Sequence, residues 1–127
     1  MEANELRIGN YVYNDYLKKN KQINGIFDNE IWLSEIGEDE FDQRSIIDSI
    51  NPIPLTEKWL VDLGFVKEKD LFWLGEYIVY KLNKKKLYLF GIDSQIFDQC
   101  YQVNCEYVHQ LQNLCFVLTN KELVLTK

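Results

Sequence analysis

Long apolar runs are missing from this chain: none approaches the ~20 residues that a membrane-spanning helix requires. The opening Met1-Glu2-Ala3-Asn4-Glu5 is polar and acidic with no apolar stretch behind it, so no secretory leader is expected. Cysteine is scarce and odd in number. Cys100, Cys105 and Cys115 suit reduced thiols in a cytoplasmic protein better than a disulfide framework. Basic charge is also in short supply, with 14 Lys and Arg against 20 Asp and Glu and a net charge of −6. Such a balance disfavours non-specific nucleic-acid binding, which depends on neutralising phosphates, and disfavours anionic membrane surfaces. The one compact basic run, Lys84-Lys85-Lys86, reads as a solvated turn between strands. No Gly-rich phosphate loop, Walker motif, dinucleotide fingerprint or Gly-x-Ser-x-Gly elbow occurs. Internal repeats and low-complexity tracts are absent too.

What is present is a core. Hydrophobic residues make up 46% of the 127 and aromatics 14%, far from the composition of disordered chains. A chain of this length buries roughly two-thirds of its unfolded surface, enough to fold without metal or disulfide.

The pattern changes near Pro52-Ile53-Pro54. Before it, short β-rich segments alternate with turns: Asn10 to Tyr13, Lys21 to Phe27, Glu30 to Leu33, Phe41 to Arg44 and Ser49 to Ile53, with Asp28-Asn29 as a hairpin turn. Four or five short strands in this space predict a small SH3-like barrel over residues 1–54. After it, residues 55–127 predict a helix, an antiparallel sheet and a C-terminal helix sharing one core with the barrel. The first helix is punctuated by Thr56 as N-cap, by a Leu55/Leu60 hydrophobic staple and by Gly64 at its end. Tyr77 to Leu82 and Lys86 to Ile92 form a hairpin that is apolar on both faces, so both faces need covering, one by the terminal helix and the other by the barrel or a second subunit. A third strand from Ile96 to Val103 and a closing one from Glu122 to Leu125 complete an α+β chain.

Cys100-x4-Cys105-x3-His109-x5-Cys115 has the composition of a tetrahedral Zn²⁺ site, though without the Cys-x2-Cys knuckle of common structural sites. If Asn104 caps a helix from Cys105 to Leu118, then Tyr107, Val108, Leu111, Leu114, Cys115 and Leu118 form its core stripe. Cys105 and His109 then lie opposite, facing solvent, and Cys115 faces inward. The set cannot converge on one ion, so neither metal nor other cofactor is expected. A Cys105/His109 nucleophile and base pair would lack the third group and the oxyanion donors that catalysis needs. The acidic run Glu35, Glu38, Asp39, Glu40 and Asp42 lacks the ligand spacing of an EF-hand and reads as a solvated loop. Among the many other carboxylates, nothing singles out a catalytic pair. The chain is therefore read as no enzyme.

Surface aromatics are the remaining candidates. Tyr11, Tyr13 and Trp32 would line a barrel's binding face if they do not fill its core, and His109 is a fourth, weak candidate.

Three blocks carry a family resemblance. Asn4-Glu5-Leu6-Arg7-Ile8-Gly9-Asn10-Tyr11-Val12, then Pro52-Ile53-Pro54-Leu55-Thr56-Glu57-Lys58-Trp59-Leu60 with Leu63-Gly64-Phe65, then Tyr107 to Leu114, resemble a family of small uncharacterised proteins of gut Bacteroidetes and of their phages and mobile elements. The segment from Asp70 to Cys105 carries little of the likeness. The resemblance implies a phage or mobile-element setting and no activity, cofactor or catalytic residue. Cys115 stands where relatives commonly carry an aromatic. Together these readings predict a non-enzymatic protein-binding or adaptor module, acting on a protein partner or by self-association. The alternative is a nucleic-acid-associated accessory protein, which the net charge opposes; no membrane or small-molecule partner is implied.

Overall fold

A computed structural model describes residues 5–28, 30–38, 40, 42–75, 78–89 and 101–125. The chain is mixed α and β, with a curled antiparallel sheet, a second antiparallel sheet and a C-terminal helix. Among the described residues, no helix is long and apolar enough to cross a membrane.

Two compact units divide the chain. The first joins Met1–Pro54 to Tyr107–Leu123, and the second joins Leu55–Glu106 to Val124–Lys127. The first stretch of the first unit ends at Pro54, beside the change of pattern in the sequence. The terminal helix, which the sequence pattern assigns to the second sheet, groups instead with the first.

In the first unit, strands β1 (Tyr11–Asn14), β2 (Lys19–Phe27), β3 (Glu30–Ser34), β4 (Gln43–Ile46) and β5 (Ile50–Asn51) form a sheet ordered β4-β3-β2-β1-β5. Alternation sets its two faces: Ile31 and Leu33 of β3 are fully buried, whereas Glu30 and Trp32, which alternate with them, stay partly exposed. Val12, Ile23, Ile31, Leu33, Ile50 and Leu6 make the core cluster. The sheet curls until non-neighbouring strands meet, because Asn14 Nδ2 of β1 donates to Ser45 Oγ of β4 at 2.9 Å. Asp15 N donates to Ser49 O at 2.9 Å in the 3-10 turn Ile47–Ser49 that joins β4 to β5. β4 begins two residues later than the alternation near Phe41 suggests; Phe41 and Asn29 lie outside the described residues.

Lys21 breaks the apolar pattern of the core face, opposite Val12 in the register. Its side chain is buried, but Nζ meets Asp42 at 2.8 and 2.9 Å and Glu35 at 3.1 Å. Burial pulls its pKa down, and the hydrogen bonds and charges of Asp42 and Glu35 together outweigh that and hold it above the ordinary lysine value. Part of the predicted acidic loop is thus tied to a buried ammonium. Asp42→Ala should cost about 1–2 kcal/mol, less than a fully buried pair because Glu35 remains and water reaches both carboxylates, while Lys21→Met should be near neutral. Urea denaturation of the two variants checks the asymmetry.

Helix α2 (Val108–Thr119) packs on this sheet through β1. It starts three residues later than Asn104 capping would place it, at Tyr107, whose N–H donates to Gln110 Oε1 at 3.2 Å, and it ends at Asn120 with φ 59°. Val108 N reaches Ile53 O at 2.9 Å. The tail after it forms no strand over residues 121–125, contrary to the closing strand read from Glu122 to Leu125. Side chains hold it instead: Leu123 is buried and Glu122 pairs with Arg7.

The second unit opens with helix α1 (Glu57–Asp62), capped as its sequence predicts, with Trp59 N donating to Thr56 Oγ1 at 3.3 Å and Gly64 at φ 103°. Strands β6 (Val66–Glu68), β7 (Leu71–Leu74), β8 (Ile78–Lys81), β9 (Lys86–Leu89) and β10 (Tyr101–Asn104) follow in the order β10-β9-β8-β7-β6. β6 and β7 carry no clear period-2 signal and were not anticipated by the pattern. Ile78, Val79 and Tyr80 are all buried within the single chain, as are Leu87 and Tyr88. Tyr80 Oη closes the unit by donating to Cys105 O at 2.6 Å, and burial raises its pKa strongly. The predicted extensions of these strands through Tyr77, Phe90 to Ile92 and Ile96 to Cys100 lie outside the described residues.

Candidate functional site

The histidine and cysteine cluster does not assemble as a solvent-facing group. Cys105, His109 and Cys115 are all buried, and Cys100 lies outside the described residues. Cys105 precedes the helix, so helical phasing from Asn104 does not apply to it. His109, predicted to face solvent, is only 2% exposed because the buried face of α2 comprises Val108, His109, Leu111, Gln112 and Cys115. Leu118, assigned to the core stripe, is exposed. Burial pushes the Cys115 thiol up to about 12, which removes it as a thiolate nucleophile at neutral pH. Among the described residues, no group of three or more His, Cys, Asp or Glu is placed to hold a metal ion.

The polar face of α2 instead secures the N-terminal segment. Gln112 Oε1 accepts from Tyr11 N at 2.8 Å, and its Nε2 donates to Gly9 O at 3.1 Å and Leu123 O at 3.2 Å. Asn113 Oδ1 accepts from Asn10 Nδ2 at 2.8 Å and Arg7 Nε at 3.0 Å, while its Nδ2 donates to Glu5 O. Arg7 lies over the Phe116 ring at 4.3 Å. The first and third blocks quoted above are thus two sides of one hydrogen-bonded network.

The predicted aromatic trio does not form one site. Tyr11 is buried at 2% exposure beneath α2, and Tyr13 is half-buried on β1 between Asn20 of β2 and Asn51 of β5. Trp32 alone stands on the outer face of β3. There it gathers residues that the sequence pattern did not single out. Phe27, 54% exposed, packs at 4.8 Å and 48° to the indole. Gly25, opposite Trp32 in the register, makes room: a Cβ there would sit 3.0 Å from the Phe27 ring. Trp32 Nε1 donates to Glu30 Oε1 at 2.6 Å, and the Arg44 guanidinium lies 5.7 Å from the ring centroid.

No protein-family model, curated protein or solved structure matches the chain. Function is therefore read from the geometry alone.

Beside this corner runs an open groove of about 420 Å³, lined by Tyr16, Glu30, Gln43, Arg44, Ser45, Ile46 and Ser49. Tyr16 is 80% exposed and Ile46 54% exposed. The groove follows β4, an end strand of the sheet, and such a strand turns half of its backbone hydrogen-bonding groups away from its own sheet. β5, at the opposite end, is unsuitable for strand pairing: it runs into Pro52 and Pro54, Ile53 O is taken by Val108 N, and Pro54 forms a bridge with Tyr107. A second groove of about 410 Å³ in the other unit is lined by Glu57, Lys67, Asp70, Phe72, Leu82 and Asn83. Its charges are engaged with each other, since Lys67 pairs with Glu57, whose hydrogen bond raises the lysine pKa. The β4 groove is the better candidate, combining an end strand of the sheet, the exposed side chains of Ile46 and Tyr16, and Glu30 and Arg44 shared with the Trp32 corner.

The register gives the missed signal. Glu30 and Trp32 alternate with Ile31 and Leu33, and β4 places Ile46 opposite Glu30 and Arg44 opposite Trp32. The alternation is legible in β3, but the sequence pattern places its partner strand over Phe41 to Arg44, whereas β4 runs from Gln43 to Ile46 and so includes Ile46.

Proposed function

We propose that the first unit is an SH3-like barrel serving as a non-enzymatic protein-binding module, and that it takes an extended polypeptide along β4. The observation that supports this reading is the position of β4 at the end of its sheet with the Tyr16 and Ile46 groove beside it. The barrel reading is supported by five short strands with the fifth returning beside the first, and by the Asn14 to Ser45 closure. In strand addition, main-chain hydrogen bonds supply affinity and alternate side-chain pockets supply specificity. Groups that suit this mode are the hydroxyls of Tyr16, Ser45 and Ser49, the Gln43 amide and the apolar side chain of Ile46. The net charge of −6 continues to weigh against nucleic acid as the ligand.

Selection from a random dodecapeptide library displayed on phage tests the reading. Enriched peptides should shift the amide signals of residues 43–46 in an NMR titration. They should also lose about tenfold or more in affinity for Tyr16→Ser/Ile46→Ser, which strips the groove of apolar surface at two exposed positions and should leave folding intact. Peptides that map elsewhere, that ignore the double substitution, or that fail to enrich at all would exclude β4 as the binding edge.

A further inference from the structure

We infer that the corner formed by Trp32, Phe27 and Glu30 is a subsite for a cationic side chain, Lys or Arg, of the polypeptide proposed to lie along β4, and that Arg44 occupies it as an internal stand-in. This rests on the β4 reading. Three observations support it. An indole face attracts a cation within about 6 Å of its centroid, and Arg44 sits there at 5.7 Å, close to that limit. A carboxylate waits beside the ring: Glu30 Oε1 is held at 2.6 Å by the indole N–H, so it keeps its place if Arg44 leaves. Arg44 itself is held loosely. Its Nη1 is 3.9 Å from that same oxygen, too far for a hydrogen bond, and its side chain is 65% exposed on an end strand.

Phe27 buttresses the indole from the β2 side, leaning on Trp32 over Gly25. Glu30 and Arg44 also line the groove, so a peptide on β4 can deliver a side chain to the ring without leaving the edge. Charge complementarity fixes the class of occupant. A chain of net charge −6 attracts a basic segment and repels an acidic one, and Glu30 gives the incoming cation a counter-ion adjacent to an aromatic plane. Displacing Arg44 then exchanges one loose cation contact for another that is supported by backbone pairing.

The dodecapeptide selection, sorted against the native protein and against Glu30→Gln, separates the two claims. Gln keeps an acceptor for the indole N–H and removes only the charge. Expected is enrichment of peptides with Lys or Arg at one fixed position, about tenfold weaker binding to Glu30→Gln, and a shift of the Trp32 indole N–H resonance, assigned by its loss in Trp32→Phe. Arg44→Ala should bind the same peptides about two- to fivefold more tightly, since the stand-in is gone. Peptides that map to β4 but carry no basic preference, or that bind Glu30→Gln equally well, overturn the subsite and leave the β4 reading standing. Peptides that do not map to β4 overturn both. Weaker binding to Arg44→Ala overturns the stand-in role of Arg44.

Discussion

Gln112→Leu should destabilise the first unit by about 3–5 kcal/mol, although the substitution keeps the side chain's size and adds an apolar group to a fully buried position. The reason is what the amide holds. Its oxygen is the acceptor for the Tyr11 N–H, and its nitrogen is the donor to the carbonyls of Gly9 and Leu123. Removing it leaves one main-chain donor and two acceptors without that partner, each costing about 1–3 kcal/mol when buried, with the partly exposed Gly9 at the low end. Set against a total stability of roughly 5–15 kcal/mol, such a loss is a large fraction of the whole. The midpoint of thermal unfolding should fall by roughly 10–20 °C. Gln102→Leu, at an exposed position, is the control and should stay within about 0.5 kcal/mol. Amide exchange at Tyr11 gives a local readout, since its protection should collapse before that of Ile23 or Leu33. A change under 1 kcal/mol would show that apolar packing, rather than this amide, docks the helix on β1.

The same residue shows where reading the sequence succeeds and where it stops. Local signals are dependable wherever the chain talks only to its neighbours. Thr56 and Gly64 bound α1, and the strands of the curled sheet fall close to where β-branched and aromatic alternation places them. Long-range polar contacts are invisible in that alphabet. Periodicity assigns the inward face of a helix to its apolar residues, which turns His109 outward, Leu118 inward and leaves Gln112 without a role. The structure rotates the helix towards the residues that serve main-chain groups over a hundred positions earlier. Gln112 satisfies those groups better than any hydrocarbon could, and Leu118 is left exposed. That long-range pairing also explains why α2 belongs with the first unit, a grouping that no local pattern encodes.

The candidate binding edge was legible only in part. Trp32 and Tyr11 are equivalent aromatic candidates in the sequence, but Trp32 is partly exposed on β3 and Tyr11 is buried. What distinguishes them is their opposite partners. Trp32 faces Gly25 and Arg44 across the sheet, which leaves room for Phe27 and a cation, whereas Tyr11 lies under α2. Cross-strand register decides this, and the sequence pattern of a single strand does not assign it.

His109→Leu should have the opposite sign to Gln112→Leu, only three residues away on the same buried face. His109 is as buried as Gln112, yet neither ring nitrogen has a hydrogen-bond partner among the described residues. The ring stacks on Tyr107 at 6.1 Å between centroids, and the nearest carboxylate oxygen, from Glu5, is 3.8 Å from Nε2. Burial lowers its pKa below 6.5, and the Glu5 charge opposes that without prevailing. An imidazole buried without a close hydrogen bond among the described residues costs stability, and an apolar side chain of similar size removes that cost, so Leu should stabilise the protein by about 1–2 kcal/mol at pH 7. The pH dependence follows from the same burial. As pH falls below about 6.5 the unfolded chain binds a proton that the folded one still excludes, so stability declines until the pH reaches the lowered folded value. The slope in that window cannot exceed about 1.4 kcal/mol per pH unit for one proton. Urea midpoints between pH 7.5 and 5 should therefore drop for the native protein and lose this component in His109→Leu, at an unchanged slope with denaturant. Destabilisation by the substitution, or an unaltered pH profile, would mean that the imidazole is held by a partner and takes up its proton in the folded state.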